Sequence, residues 1–236
     1  MAKIRLNKFL VESGYCSRRQ ADKLIAAGLV MVNGQRAPLG IKIDEADQIK
    51  IKGELLQGTP PKVYLLFHKP AGLVTTAARH QGEQNVIDFI NYPERIFSVG
   101  RLDKNSTGLL LLTNDGALAY QITHPKFGHE KEYLVQVNKP LTADCCHKLA
   151  NGIKLEEGKT APAQVKQHSN REFEIILTEG KKRQIRRMCE ALGYKVTKLK
   201  RTRLLTLKLG ALPVGSWRSL SKTELKSIKQ SLEEAS

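Results

Sequence analysis

The sequence predicts an α+β protein: a small α/β module first, then a larger body with a mostly antiparallel mixed sheet and flanking helices. Three observations predict it. Residues 1–56 carry two short amphipathic helical periods, then β-branched runs joined by an Asn-Gly turn. A Pro- and Gly-rich break, Gln57-Gly58-Thr59-Pro60-Pro61-Lys62, follows as a linker. From residue 63 to 236, short apolar runs interleave irregularly with short helical periods. A chain of 236 residues with 41% hydrophobic content buries a sizeable core without disulfide or metal staples.

In the module, Leu6, Phe9 and Leu10 lie at helical spacing and Gly14 ends that helix. Ser17 caps a second helix, with Gln20 as the return partner of a capping box. Ala21, Leu24 and Ile25 form its inner face, and Gly28 stops it. Residues 29–32 read as a strand, and Asn33-Gly34 as a hairpin turn. Ile41, Ile43, Ile49 and Ile51 mark further short strands. In the body, strands are expected over 63–67, 109–112, 133–137, 173–177 and 204–209, and helices over 84–91, 115–123, 142–150 and 183–193.

The charge points to a polyanion. Lys and Arg number 39 against 23 acids, a net +16, so nucleic acid is the leading partner. Residues 181–203 hold ten Lys or Arg and one acid, Glu190, which reads as a phosphate clamp including Arg183 and Arg187. Arg5, Lys8, Arg18, Arg19 and Lys23 lie on the module's two helices or at their ends. Arg18 and Arg19 occupy a first helical turn, where the dipole disfavours cations, so a bound anion would explain them; ordinary surface charge is the plainer reading. No apolar run approaches the ~18 residues of a membrane span. The polar N-terminus is no export signal, so the expected location is cytoplasmic, with no membrane partner. Cys16, Cys145, Cys146 and Cys189 form no Cys-x-x-Cys pair, and His124 and His129 flank a loop without a ligand cluster. Reduced thiols and no metal site are expected.

One stretch stands apart. A Gly-bounded polar loop, residues 98–108 (SVGRLDKNSTG), leads into the apolar run Leu109-Leu110-Leu111-Leu112. Asp103 lies between Arg101 and Lys104, which favours its ionised form. Such a carboxylate serves as nucleophile, base, turn cap or, less well without neighbouring acids, metal ligand.

Two resemblances bear on these residues. RLNKFLVESGYCSRRQADKLIAAGLVMVNGQ is similar to the S4 RNA-binding domain, which implies structured RNA. GRLDKNSTGLLLLTNDG resembles the catalytic motif of the RsuA/RluF-type ribosomal pseudouridine synthases. That resemblance implies Asp103 as nucleophile and Arg101 as a residue that holds the target nucleotide. It places Lys69 in a Lys-Pro-x-Gly loop at the substrate, Tyr133 in a Lys-x-Tyr element, and Arg186 as the partner of the carboxylate. HEKEYLV, NVIDFIN and KRTR bring the chain closest to the large-subunit RluF-type members. It ends at Ser236 without the long basic tail that some of them carry.

The implied reaction breaks the N1–C1′ bond of a uridine, turns the uracil and joins C5 to C1′. It needs no redox partner or group donor, so no cofactor is expected. The carboxylate stabilises or traps the positive sugar; attack at C1′, attack at C6 and a glycal route all remain open. Tyr133 is expected to stack on the base and to take the C5 proton, for which an unperturbed tyrosine, titrating near ~10, is a poor base. Arg186 is expected to orient Asp103 through a bidentate contact, with phosphate binding as its other use. The target base must leave its stack, at a cost of a few kcal/mol. The expected partner of a monomer is ribosomal RNA, large subunit favoured, free or in an assembly intermediate, with transfer RNA as a second substrate. The alternatives are a non-catalytic S4-containing RNA-binding or ribosome-assembly protein, and a glycosylase that releases the base.

Overall fold

Helices stop and strands turn in the N-terminal residues where local chemistry dictates. The computed structural model describes residues 3–44, 46–56, 58–76 and 82–234, so Gln57 of the expected linker lies outside the described residues. Strand β1 (Ile4–Arg5) runs into helix α1 (Leu6–Glu12). Ser17 caps α2 (Arg18–Ala26): its hydroxyl accepts from Gln20 N at 3.3 Å, and Gln20 Oε1 accepts from Ser17 N at 3.1 Å. Asn7 ties the helices together, donating to Asp22 Oδ1 at 2.8 Å. Strands β2 (Val30–Val32) and β3 (Gln35–Arg36) join through Asn33 and Gly34, both at positive φ (50° and 82°), as a type I′ turn requires. Strand β4 (Lys42–Ile43) pairs with β1, while β5 (Ile49–Ile51) and β6 (Glu54–Leu55) complete a sheet in the order β3-β2-β5-β6. Leu6, Leu10, Ala21, Ile25, Val30 and Ile43 are buried in its core. These elements fall in one compact unit, Met1–Val63 with Tyr92–Ile96 and Asn114–Gly116.

The second unit holds the remaining residues. Its elements follow in order: β7 (Tyr64–Lys69), α3 (Val86–Ile90), β8 (Phe97–Val99), β9 (Thr107–Thr113), α4 (Gly116–Thr123), β10 (Lys131–Val137) and α5 (Ala143–Asn151). Then come β11 (Lys154–Leu155), β12 (Gly158–Lys159), β13 (Gln164–Ser169), β14 (Glu172–Leu177), α6 (Gln184–Ala191), β15 (Val196–Leu204), β16 (Leu207–Lys208), β17 (Trp217–Ser219) and α7 (Lys222–Glu234). The main sheet runs β13-β14-β10-β15-β9-β7-β17, with β16 on β15 and β8 on β9. Only the β15–β9 pair is parallel, so the α+β expectation of a mostly antiparallel mixed sheet is met.

Strand β9 is buried on both faces, which is why its apolar run is continuous. Leu109 and Leu111 join a core that includes Leu118 and Ile122 of α4 and Ile228 and Leu232 of α7. A second core sets Val135, Phe173 and Ile175 against Leu149 of α5 and Ile185 and Met188 of α6. No helix among the described residues is long and apolar enough to cross a membrane.

One expectation needs correction. The strand expected over 204–209 is broken at Leu205, φ 53°, into the end of β15 (Val196–Leu204) and β16 (Leu207–Lys208), and the greater part of β15 lies outside any expected strand. Register shifts between Glu132 and Tyr133 and between Gln136 and Val137 put the buried residues of β15 at 196, 199, 201 and 204, so period two is broken and the strand is hidden. Helix α7, which no expected element covers, carries a capping box. Glu224 N donates to Ser221 Oγ at 3.1 Å, and Ser221 N to Glu224 Oε2 at 2.8 Å.

Candidate active site

The loop between β8 and β9 is fastened at every peptide that flanks Asp103. Gly100 and Gly108, at φ 72° and 108°, let the chain enter and leave it. Gly108 admits no side chain, because its parallel pairing with Arg201 would put a Cβ 2.2 Å from the Arg201 carbonyl oxygen. Between them, five successive carbonyls each accept a hydrogen bond. Thr75 Oγ1 donates to Leu102 O, and Ser106 N to Asp103 O at 3.0 Å. Lys104 O accepts from Gly72 N at 2.8 Å and Lys69 Nζ at 3.2 Å. Asn105 O accepts from Arg186 Nη2 at 3.0 Å, and Ser106 O from Lys69 Nζ at 2.9 Å. A loop satisfied in this way holds a side chain in one place without a helix or strand of its own.

Asp103 projects from that loop into a cavity of about 760 Å³. Its side chain is 35% exposed, open to a ligand. Tyr133 and Lys131, on one face of β10, and Arg201 and Leu199 of β15 form part of the wall. Exposed Arg101 and Arg183 line the cavity too. His124 and His129 border it, within a ring group where Phe127 stacks on His129 at 5.6 Å and Tyr120 lies 4.9 Å from His124. Among the described residues no His, Cys, Asp and Glu cluster could hold a metal ion.

Three expected roles change with this geometry. Lys69 does not face a substrate: it is 0% exposed, and its ammonium donates to three carbonyls, of Pro70 (2.9 Å), Lys104 and Ser106. Burial pulls its pKa down to about 8, against the opposing pull of Asp103. Arg186 approaches Asp103, but through Nε alone, at 3.9 Å, rather than in a bidentate fork. Its Nη atoms are committed to Val196 O and Asn105 O, and its burial removes the phosphate-binding use. Arg187 is taken by a bidentate pair with Glu157 and stands outside the cavity lining.

The wider 181–203 clamp is corrected in the same sense. Five of its ten cations are engaged internally: Lys181 with Glu179, Arg186 and Arg187 as above, Arg201 with Leu109 O, and Arg203 with Glu130 and Glu132. Lys182 and Arg183 remain exposed at the cavity. In the N-terminal unit Arg5, Arg18, Arg19 and Lys23 are exposed, and Lys8 pairs with Glu12 at 3.7 Å. Sequence reasoning missed Thr75, Lys131 and Arg201 as cavity residues. Lys131 had a signal, its place two residues before Tyr133 on a strand, whereas Arg201 was hidden by the bulged register of β15.

An aspartate on a clamped loop, aimed into a cavity walled by a tyrosine and cations, on an antiparallel-based α+β sheet, is an arrangement suited to an enzyme that acts on a nucleotide. Comparison with known proteins narrows the class. Residues 63–191 match the family model described as RNA pseudouridylate synthase, and residues 4–49 match the S4 domain. The chain is 42% identical to the dual-specificity RNA pseudouridine synthase RluF of Escherichia coli (strain K12), over 99% of this chain and 81% of that one. It is 41% identical to the ribosomal large subunit pseudouridine synthase B of Bacillus subtilis (strain 168), over 95% of each. A solved structure titled "Crystal structure of pseudouridylate synthase" aligns with TM-score 0.71 and 33% identity, covering 95% of this chain and 99% of that one. The chain therefore belongs to the RNA pseudouridylate synthase family, as its Gly-Arg-Leu-Asp stretch implied, and it is an RNA-modifying enzyme with an S4 domain.

Proposed function

We propose that the protein converts a uridine of large-subunit ribosomal RNA to pseudouridine, with Asp103 as nucleophile. The observation that carries the reading is the fastened 102–106 loop, which aims one carboxylate into a cavity large enough for a nucleotide. The two named relatives support the substrate class, one by acting as a large-subunit synthase and the other as a dual-specificity RNA synthase. An assembly intermediate is a second form of the same substrate, and a transfer RNA a second substrate to test.

In this reading the target base leaves its stack and enters the cavity beside Tyr133, which offers it a ring face. Arg101, exposed at the cavity, holds the nucleotide or fills the vacated stack. The Asp103 carboxylate meets the electron-poor sugar as the N1–C1′ bond breaks. Arg186 acts through Asp103 and the Asn105 carbonyl, as a positioning residue. Residues 1–56 serve as the S4 grip, joined by 57–62 to a catalytic domain over 63–236. Arg5, Lys8, Arg18, Arg19 and Lys23 meet phosphates in the first, and Arg183 does so at the cavity.

The test uses ribosomal RNA labelled with tritium at uridine C5. Release of tritium to water, with the base still attached to the chain, is expected, and Asp103→Ala should abolish it while RNA binding stays within about twofold. Free uracil would instead identify a glycosylase. Tight binding without release from ribosomal or transfer RNA would mark a binding protein.

A further inference from the structure

Two cations in the cavity wall have no part in the chemistry described so far. Tyr133 of β10 stands opposite Arg201 of β15, and Lys131 shares the Tyr133 face of its strand. Both cations line the cavity. Arg201 is 2% exposed; its Nε donates to Leu109 O at 2.7 Å, but its Nη2, equally buried, has no hydrogen-bond partner. The Lys131 ammonium gives one hydrogen to His129 O at 2.7 Å. No carboxylate among the described residues pairs with either cation. Burial and the Arg201 charge both push the Lys131 pKa down. A buried N–H without an acceptor, beside a second cation without a counter-charge, is an arrangement that an arriving acceptor would relieve.

We infer that Arg201 and Lys131 are catalytic groups that hold the carbonyl oxygens of the uracil while it is a leaving anion. The inference rests on the pseudouridine synthase reading of this cavity. When N1–C1′ breaks, the bonding pair goes to the ring and spreads over N1, C5 and the two carbonyl oxygens, while C1′ is taken by the Asp103 carboxylate. Turning the ring about its N3–C6 axis exchanges N1 with C5 and O2 with O4. Donors fixed in the wall therefore meet a charged carbonyl oxygen before the turn and an equivalent one after it. C5 then forms its bond to C1′ and displaces the carboxylate, the C5 proton leaves, and N1 gains a proton, so the sum is an isomerisation with no co-reactant. Donors fixed in a water-poor wall stabilise such an anion more than water does.

The test compares the single-turnover rate at which the target nucleoside is consumed in large-subunit ribosomal RNA transcribed with uridine or with 5-fluorouridine, read by chromatography of the digested RNA. A fluorinated ring joined to C1′ through C5 has no proton there to lose, so it takes up water across N1 and C6 and is read as that hydrate. Fluorine makes the departing ring a more stable anion, so it needs less help. Lys131→Met and Arg201→Lys are each expected to slow the uridine transcript by about 100-fold, to slow the fluorinated one by less than about tenfold, and to leave the salt dependence of RNA affinity unchanged. Equal slowing of both transcripts would overturn the inference, and a shallower salt slope would assign the pair to a phosphate. Should Arg201→Lys fail to fold, Lys131→Met alone decides by the same comparison. Absence of any conversion by the wild-type protein would instead sink the parent reading, whereas wild-type turnover with unaffected variants would sink only this one.

Discussion

Replacing Lys69 by Met tests whether the position of Asp103 depends on a buried ammonium. The substitution conserves much of the volume but removes the donor to Pro70 O at 2.9 Å, Lys104 O at 3.2 Å and Ser106 O at 2.9 Å. Each bond from a charged donor is worth roughly 1.5–3 kcal/mol. The fall of the Lys69 pKa from 10.5 to about 8 is the net result of burial against the opposing pull of Asp103, and it leaves the ammonium protonated at neutral pH. Lys69→Met leaves the Pro70 and Ser106 carbonyls without a donor, an expected loss of about 3 kcal/mol, or a melting point lower by roughly 10 °C for a body of this size. The sign with pH is also fixed. The unfolded chain holds its Lys69 proton up to 10.5 while the folded chain releases it near 8, so the unfolded state binds more protons in that window and wild-type stability rises with pH there. Cys189, whose thiol burial pushes up to about 12 from 9.0, acts the opposite way above pH 9, so the clean interval is pH 8 to 9. Thermal melts of wild type and Lys69→Met across that interval should show a gap that widens with pH, with turnover reduced more than RNA affinity. A variant melting within about 2 °C of wild type, or a gap that closes as pH rises, would refute the reasoning.

Gly108→Ala should lose more than about 4 kcal/mol, because its Cβ would meet the Arg201 backbone at 2.2 Å in a residue already at φ 108°. Gly116→Ala, with nothing within 4 Å, should melt like wild type in the same assay. Arg18→Ala combined with Arg19→Ala should weaken RNA binding and flatten its salt slope by roughly 1–2, with single-turnover chemistry at saturating RNA unchanged; an unaltered slope would remove these two from the RNA contact. In native protein a thiol reagent should modify Cys146 first, since Cys16, Cys145 and Cys189 are buried, and mass spectrometry should find all four modified only after unfolding.

How far the fold could be read in advance depended on whether its determinants were local. The Ser17–Gln20 capping box and the Asn33-Gly34 turn are complete within a few residues, and both form as expected. The apolar run of β9 also declared itself, because burial on both faces leaves no alternation to decipher. Strand β15 did not, since the bulges that disrupt its alternation arise from pairing with β10, some 60 residues away. The carboxylate was located by its motif, but the function of Lys69 was not, because a lysine that holds carbonyls and a lysine that meets phosphate look alike in sequence. Only the closing of residues 69–72 on 104–106 distinguishes them.

The same distinction governs the meaning of the net charge. An excess of +16 invites the assumption that basic residues are there for RNA. Yet within 181–203 the cations differ in what they face. Arg187 and Arg203 meet glutamates at the surface, where the pairs contribute little stability and leave little field for a distant phosphate. Arg186 reaches from a helix to the Asp103 loop, so its charge is read by Asp103 rather than by solvent. Arg201 is desolvated within a strand that the parallel pairing with β9 fixes in place, and such a charge is tolerated only where the structure gains something for it. What remains exposed includes Lys182 and Arg183 at the cavity, Lys195 and Lys198 further along, and Arg5, Arg18, Arg19 and Lys23 in the N-terminal unit. On the function proposed, a cation's depth, more than its place in a basic run, therefore separates residues that would attract the RNA from residues that would act on the base once it has arrived.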